Sequence, residues 1–338
     1  MTARPQPPAP LEPRLQIDAQ EWPFLPGPRK INLFVQPPDA GLTADTGLML
    51  VLHNWGGLYD EPHYLQWCRT FADRYNVVAL SVNYLQSGPA WREQIHPYDH
   101  GYLQAVDAIR ALHAIRRRLL DRRAAFNQRR IFGMGVSGGG NVIQMALKFA
   151  PHTFACGVDI CGMPGLTDGI AYGLREFGSD LDAKYSRDPQ SPNYLPPDLQ
   201  EIRDFGRLDH CRLLRLANPD LKIVIIHGID DHKCPVVHKI GQFQRMVHAG
   251  LDVDGRFLTP LDVDGRAVAN TGHSLGDREQ ILIKYADHYL KPAGPFARSR
   301  SSPTDFERAK PVEYPTSNGR VIIDYAAAPT VRFQPNHP

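Results

Sequence analysis

The chain is 338 residues long, with 38 Lys and Arg against 36 Asp and Glu, 42% apolar residues and five cysteines. At about 150 residues per domain this length suggests two units, although large α/β domains also run this long as one. A net charge of +2 with no long basic run gives no grip for nucleic acid, no apolar stretch approaches the ~18 residues that cross a bilayer, and 22% charge with ordinary apolar content excludes a largely disordered chain.

Residues 1–29 carry Pro5, Pro7, Pro8, Pro10, Pro13, Pro23, Pro26 and Pro28 and are expected to form a poorly ordered arm or an extended wrap, since proline removes donors and disfavours helix. They contain no apolar run suited to a secretory signal. The cysteines (Cys68, Cys156, Cys161, Cys211, Cys234) are odd in number, scattered and without a CxxC pair. That pattern predicts free thiols in a reducing compartment, and a cytoplasmic location is the expectation. Lys30 to Val35 alternates and reads as a short strand. Leu48 to Leu52 and Val77 to Val82 are apolar on both faces, as strands inside a parallel sheet are.

From about 101 to 120 the period changes. Val106, Ile109, Leu112, Ile115 and Leu119 step by three and four, which predicts an amphipathic helix. Its Arg116, Arg117 and Arg118 read as a solvated face near a helix C-terminus more than as an anion site. Arg130 to Val136 predicts a strand, Asn141 to Phe149 a helix and Phe154 to Ile160 a strand. Residues of about 163–220 then break the rhythm, and so long a connection reads as a cap insertion. Leu221 to Ile226, Val236 to His248, Arg256 to Thr259 and Arg278 to Leu290 resume the alternation as strand, helix, strand and helix. The sum is an α/β protein with a doubly wound, mostly parallel sheet. Beyond it, residues 292–338 form an extension whose segments 321–325 and 331–333 suggest a hairpin.

Two metal readings are weak. The repeat Leu251–Arg256 and Leu261–Arg266 contains DxDG twice, but the closing Glu of a calcium loop is missing and Asp-Gly is a common turn. His96 and His100 flank Asp99 at ligand-like spacing with no third His or Cys pattern in support. No metal and no organic cofactor is expected.

The strongest chemical signal is Gly135-Val136-Ser137-Gly138-Gly139, a G-x-S-x-G between a predicted strand and a predicted helix. There the serine must project from a strained turn that bulky neighbours would obstruct. Gly133, Gly135 and Gly138 also spell G-x-G-x-x-G, a dinucleotide fingerprint, yet far from the N-terminal βαβ unit where such a fingerprint lies. A serine nucleophile needs a base and the base an orienting carboxylate. Downstream stand His227-Gly228-Ile229-Asp230-Asp231-His232-Lys233-Cys234-Pro235 and Thr271-Gly272-His273-Ser274.

With these motifs in this order, residues of about 30–291 resemble the α/β-hydrolase superfamily, in its esterase and prolyl-oligopeptidase-like branch. The resemblance implies a catalytic triad of Ser137, Asp231 and His273. Asp231 follows from matching H-G-x-x-D-x-x-x-P, with Asp230 as the alternative, Asp159 as a third choice, and His227 and His232 as rivals for the base. It also implies an oxyanion hole of the Gly138 and Trp55 backbone N–H groups. The segment His53-Asn54-Trp55-Gly56-Gly57 is similar to H-G-x-G-G, with Asn54 where glycine is common, so that Asn54 could donate through its side chain. Trp55 either walls the acyl pocket or packs in the core. Asn54, Tyr84 and Tyr172 are candidate pocket residues. Tyr172, Phe177, Tyr185 and Tyr194 either stack on substrate or form the core of the cap. The expected activity is hydrolysis of a small-molecule or glycan ester through an acyl-enzyme, with acyl esters of carbohydrates or aromatic acids as the candidate substrates. The alternatives are an acyl-peptide or amide hydrolase and a non-catalytic hydrolase-fold binder. Neither nucleic acid nor membrane is an expected partner.

Overall fold

The computed structural model describes residues 11–90, 94–175 and 179–336; Pro5, Pro7, Pro8, Pro10 and Phe177 lie outside them. The strands are β1 (Arg14–Asp18), β2 (Lys30–Gln36), β3 (Gly47–Leu52), β4 (Val77–Val82), β5 (Ile131–Val136), β6 (Cys156–Ile160), β7 (Lys222–Gly228) and β8 (Asp252–Leu258), then β9 (Val312–Thr316), β10 (Gly319–Asp324) and β11 (Thr330–Pro335). The helices are α1 (Pro62–Tyr75), α2 (Tyr102–Asp121), α3 (Gly138–Phe149), α4 (Asp168–Ala171), α5 (Pro197–Glu201), α6 (Leu208–Ala217), α7 (Val236–His248), α8 (Arg278–Leu290) and α9 (Asp305–Arg308).

The first eight strands form one sheet in the order β1-β2-β4-β3-β5-β6-β7-β8. β1 and β2 are antiparallel to their neighbours, and every pairing from β4 to β8 is parallel. β3 shows why these segments are strands. Its six residues are all buried, and alternate side chains serve opposite faces. Leu48, Leu50 and Leu52 join one core with Ile109 and Leu112 of α2 and Val142 of α3. Met49 and Val51 join the other, with Phe71 of α1 and Ile281 and Leu282 of α8. Burying each such side chain stabilises the fold by about 1.5–3 kcal/mol, so the sheet is held from both sides. This is the expected doubly wound α/β-hydrolase architecture.

Several boundaries differ from the sequence reading. The sheet begins inside the expected arm, because Arg14–Asp18 pairs in register with Lys30–Phe34. α1 is an element the sequence reading does not contain. Its buried stripe, Tyr64, Trp67, Cys68, Phe71, Ala72 and Tyr75, has helical period but is built from aromatics rather than aliphatics. The C-terminal extension is a three-stranded antiparallel sheet in the order β11-β10-β9, one strand more than a hairpin. Its β11 meets the start of the chain through Gln20, whose side chain bonds both Val331 N–H and Val331 O at 2.7 Å.

The insertion between β6 and β7 folds as short helices over its own small core of Met163, Leu166, Ile170, Tyr185 and Leu195. It is fixed to the body at several points. Arg203 Nε donates to Asp99 O at 2.8 Å. Lys148 Nζ donates to Ile202 O at 2.7 Å and Asp204 O at 3.2 Å. Asn318 binds both oxygens of Asp198 at 2.7 and 3.0 Å, and Ser317 N–H donates to Glu201 at 2.9 Å. Tyr314 and Tyr325 of the C-terminal sheet donate in turn to Lys148 O and Phe149 O, at the end of α3. Burial lowers the Lys148 ammonium to a pKa of about 7.

Asp159, the third-choice acid, serves a different purpose. It pairs with Lys239 of α7 at 2.8 Å, and both side chains are buried. Removing one member of a buried pair strands the other, at a cost of about 3–5 kcal/mol. Lys239→Met is therefore expected to lower the unfolding free energy by that amount, read as a lower urea midpoint with the slope unchanged. An unaltered midpoint would show that the pair holds nothing together.

The expected free thiols are seen: all five cysteines are unpaired and buried. The DxDG repeats find other partners. Asp252 pairs with Lys222 and Arg298, and Asp254 with Arg256. Asp262 caps a turn at Thr259, and Asp264 pairs with Lys284. His96 packs on Trp22 and Phe24, and His100 is buried against Phe205, where desolvation lowers its pKa to about 3. Among the described residues, neither the His96–His100 pair nor either repeat forms a metal-ligating group.

Candidate active site

The turn from β5 into α3 sets Ser137 at φ 53°, ψ −116°. L-residues occupy that region reluctantly, and it persists only where surroundings enforce it. Here they do so by close approach: a Cβ on Gly135 would lie 1.9 Å from Gly139 O, so only glycine fits. Ser137 N–H donates to Ile160 O at 2.8 Å, tying the turn to β6. The hydroxyl stands at the N-terminus of a 12-residue helix, whose dipole favours developing negative charge.

His273 is carried by the loop before α8. Its Nε2 lies 2.8 Å from Ser137 Oγ and its Nδ1 2.8 Å from Asp231 Oδ2. The loop is seated by β7: a Cβ on Gly228 would meet Thr271 O at 2.1 Å, and Asp230 N–H donates to the same carbonyl at 2.9 Å. Arg278 at the start of α8 donates to His273 O at 3.1 Å.

The two aspartates divide cleanly. Asp231 is buried, and its Oδ1 accepts the N–H groups of Lys233 and Cys234 at 3.0 and 2.9 Å. Burial alone would raise this carboxyl, but the bonds from His273 and Cys234 outweigh it and hold it below its ordinary range. It is therefore ionised at neutral pH. Asp230 is exposed and accepts from the Thr271 hydroxyl, so it braces the histidine loop. His227 is buried and donates through Nε2 to Cys234 O at 2.7 Å, and desolvation lowers its pKa to about 4. His232 is exposed. His227 Nε2 also lies 3.5 Å from Asp231 Oδ2, and the described hydrogen bond of Ser137 Oγ is to His273 rather than to either rival.

The loop after β3 reaches the serine from the other side. Gly138 packs so closely on Trp55 that a Cβ there would fall 2.7 Å from Trp55 N. The two backbones expected to form the oxyanion hole are thus adjacent. Asn54 does not donate into the site. Its N–H donates to Tyr64 Oη at 2.9 Å, its Oδ1 accepts from that hydroxyl at 2.7 Å, and its Nδ2 turns back to Trp55 O at 3.1 Å. Its φ is not positive, which is why the turn needs no glycine there. Tyr64, absent from the sequence reading, is the residue that shapes this loop; its only signal was membership of the aromatic stripe of α1.

Tyr84 borders a cleft of about 270 Å³ with Asn83, Gln86 and Asp107, which no member of the serine cluster lines. It is buried, stacks on His53 at 4.1 Å and donates to His53 O, supporting the loop from beneath. Tyr172 lies on the cap under Arg187, at 4.4 Å, and bonds Gln200, so its described contacts stay within the cap. Tyr185 belongs to the cap core and Tyr194 pairs with Ser186. Trp55 stacks on Tyr98 at 3.8 Å with 13° between planes, and both border the cap core. A cleft of about 420 Å³ opens between Leu166, Gln200, His238 and Arg245, but no member of the serine cluster lines it. The reaction site is placed by the serine cluster rather than by that cleft.

Among the described residues, one group of potential metal ligands comes together: Cys161, Asp231 and His273.

Comparisons with known proteins agree with this fold. The sequence model of the prolyl oligopeptidase family matches residues 86–290. No curated protein matches the chain by sequence. Among solved structures, the acylaminoacyl peptidase of Pyrococcus horikoshii is similar over 83% of this chain and 42% of its own, with TM-score 0.56 and 13% identity. The dipeptidyl peptidase 4 of Porphyromonas gingivalis is similar over 82% and 35%, with TM-score 0.52 and 14% identity. A puromycin-hydrolyzing peptidase of Mycobacterium tuberculosis is similar over 74% and 35%, with TM-score 0.52 and 16% identity. The chain thus spans less than half the length of each of these proteins.

Proposed function

Because this chain belongs to the prolyl oligopeptidase family of serine hydrolases, we propose that Ser137, His273 and Asp231 cleave an acyl-peptide or related amide through an acyl-enzyme. The observation that carries the reading is the unbroken relay Ser137 Oγ–His273–Asp231 with both contacts at 2.8 Å. His273 Nε2 takes the hydroxyl proton as Ser137 attacks the carbonyl carbon. The negative charge that develops on the carbonyl oxygen is met by the N–H groups of Trp55 and Gly138. His273 then passes its proton to the departing nitrogen, and the acyl group remains on Ser137. Water, deprotonated by His273, releases it. Asp231 stays ionised throughout and supports the imidazolium.

An amide is preferred over the ester of the sequence reading because the family and the similar structures are peptidases. The test has two stages. A fluorophosphonate probe should label the native protein at Ser137 and leave Ser137→Ala unlabelled; absence of labelling would leave a binding protein. An acylaminoacyl anilide and the corresponding ester are then compared. Cleavage of both is expected, whereas turnover of the ester alone would restore the ester reading.

A further inference from the structure

We infer that Cys161, Asp231 and His273 form an inhibitory site for a thiophilic divalent cation such as Zn²⁺ or Co²⁺. Cys161 follows β6 directly, where Ser137 N–H is also anchored. It is fully buried and held at φ 53°, with its N–H bonded to Ile226 O at 2.9 Å. A left-handed backbone suits glycine or asparagine better than cysteine, so the backbone does not account for the residue. What its side chain does is bring sulfur close to the relay. The Cys161 sulfur, a carboxylate oxygen of Asp231 and an imidazole nitrogen of His273 all lie within 4.8 Å of one another.

Around a tetrahedral zinc ion, bonds of about 2.0–2.3 Å put ligand atoms roughly 3.3–3.8 Å apart. The 2.8 Å contact between His273 and Asp231 must open to about that spacing, while the Cys161 sulfur closes on them from no more than 4.8 Å. The donor set is one thiolate, one imidazole and one carboxylate. It favours borderline and soft cations and offers little to Mg²⁺ or Ca²⁺, which seek oxygen alone. His273 is the member open to solvent, with 17% of its side chain exposed against none for Asp231, so the cation enters past the imidazole.

The consequence rests on the proposed reading of the triad. Nδ1 is the nitrogen turned to Asp231. A cation bound there displaces the proton to Nε2, and the imidazole then has no lone pair to accept the hydroxyl proton of Ser137. Cys161 gives up its thiol proton to solvent as its sulfur binds. The hydrolase stops without losing any part of its fold.

Binding and inhibition are read separately. Titrating the full chain with Co²⁺ should produce a thiolate-to-metal absorption band that survives Ser137→Ala and disappears in Cys161→Ala and Cys161→Ser. Zn²⁺ should inhibit hydrolysis reversibly, with activity restored by a chelator. Basal turnover is measured without metal in both cysteine variants, and Zn²⁺ sensitivity is read relative to it. The half-inhibiting Zn²⁺ concentration should rise at least tenfold, since even an outer-shell partner is worth about 10–100-fold to a metal site. No band, or equal Zn²⁺ sensitivity in folded variants, overturns the site. A band that depends on Cys161 in a protein without hydrolase activity would uphold the site and discard the proposed function.

Discussion

Ser137→Ala is expected to lower kcat by on the order of 10⁵–10⁶-fold, since loss of the nucleophile in a triad removes nearly everything the triad provides. At 1.36 kcal/mol per tenfold this is about 7–8 kcal/mol of transition-state stabilisation. Stability should hardly change. The hydroxyl makes one described hydrogen bond, to His273, and such a bond is worth about 0.5–1.5 kcal/mol net. The strained turn is enforced by Gly135, Gly139 and the Ile160 carbonyl rather than by the serine side chain. The measurement is a progress curve at high enzyme concentration beside a thermal melt. Native-like turnover from a fully folded alanine variant would discard the mechanism.

Asp231→Asn should cost about 10⁴-fold in kcat, and the structure says why. Two backbone donors, Lys233 N–H and Cys234 N–H, already point at Oδ1. An asparagine must turn its carbonyl to them, which aims its NH₂ at His273 Nδ1. The imidazole then carries its proton on Nε2, the nitrogen that has to receive one from Ser137. Asp230→Asn keeps an acceptor for Thr271 on an exposed side chain, so its effect should stay near 0.5 kcal/mol, about two- to threefold. The pair of variants discriminates between the two aspartates, and comparable losses in both would contradict the division of roles given above.

The strands β3, β4, β5 and β7 were legible because burial on both faces leaves unbroken apolar runs, and α7 and α8 were legible to the residue. β1 was hidden because Arg14–Asp18 exposes alternate side chains among prolines, and it becomes a strand only by pairing with β2. β8 was read too short because Asp252, Asp254 and Gly255 disguise an edge strand whose carboxylates are paired with Lys222, Arg298 and Arg256. The cap was opaque for another reason. Its helices of four and five residues cannot stand alone and are held by partners such as Asp99, Lys148 and Asn318, far away in sequence.

At the site, Ser137 and His273 were visible through their flanking glycines; those beside Ser137 mark places where two backbones nearly touch, whereas a Cβ on Gly272 would meet nothing nearer than Asn270 Oδ1 at 3.4 Å. The choice between Asp230 and Asp231 depends on which carboxylate faces the N–H groups of residues 233 and 234, and backbone donors leave no mark in a sequence. Tyr64 was missed for a related reason: its bonds to Asn54 join a helix to a loop ten residues away, and nothing in the spacing announces them.

The attachments of the insertion to Asp99, Lys148, Ser317 and Asn318 bear on selectivity. A segment riveted on several sides keeps one position beside the stacked Trp55 and Tyr98 and does not swing. Turnover is therefore expected to fall abruptly beyond a threshold of molecular girth instead of declining gradually with each added atom.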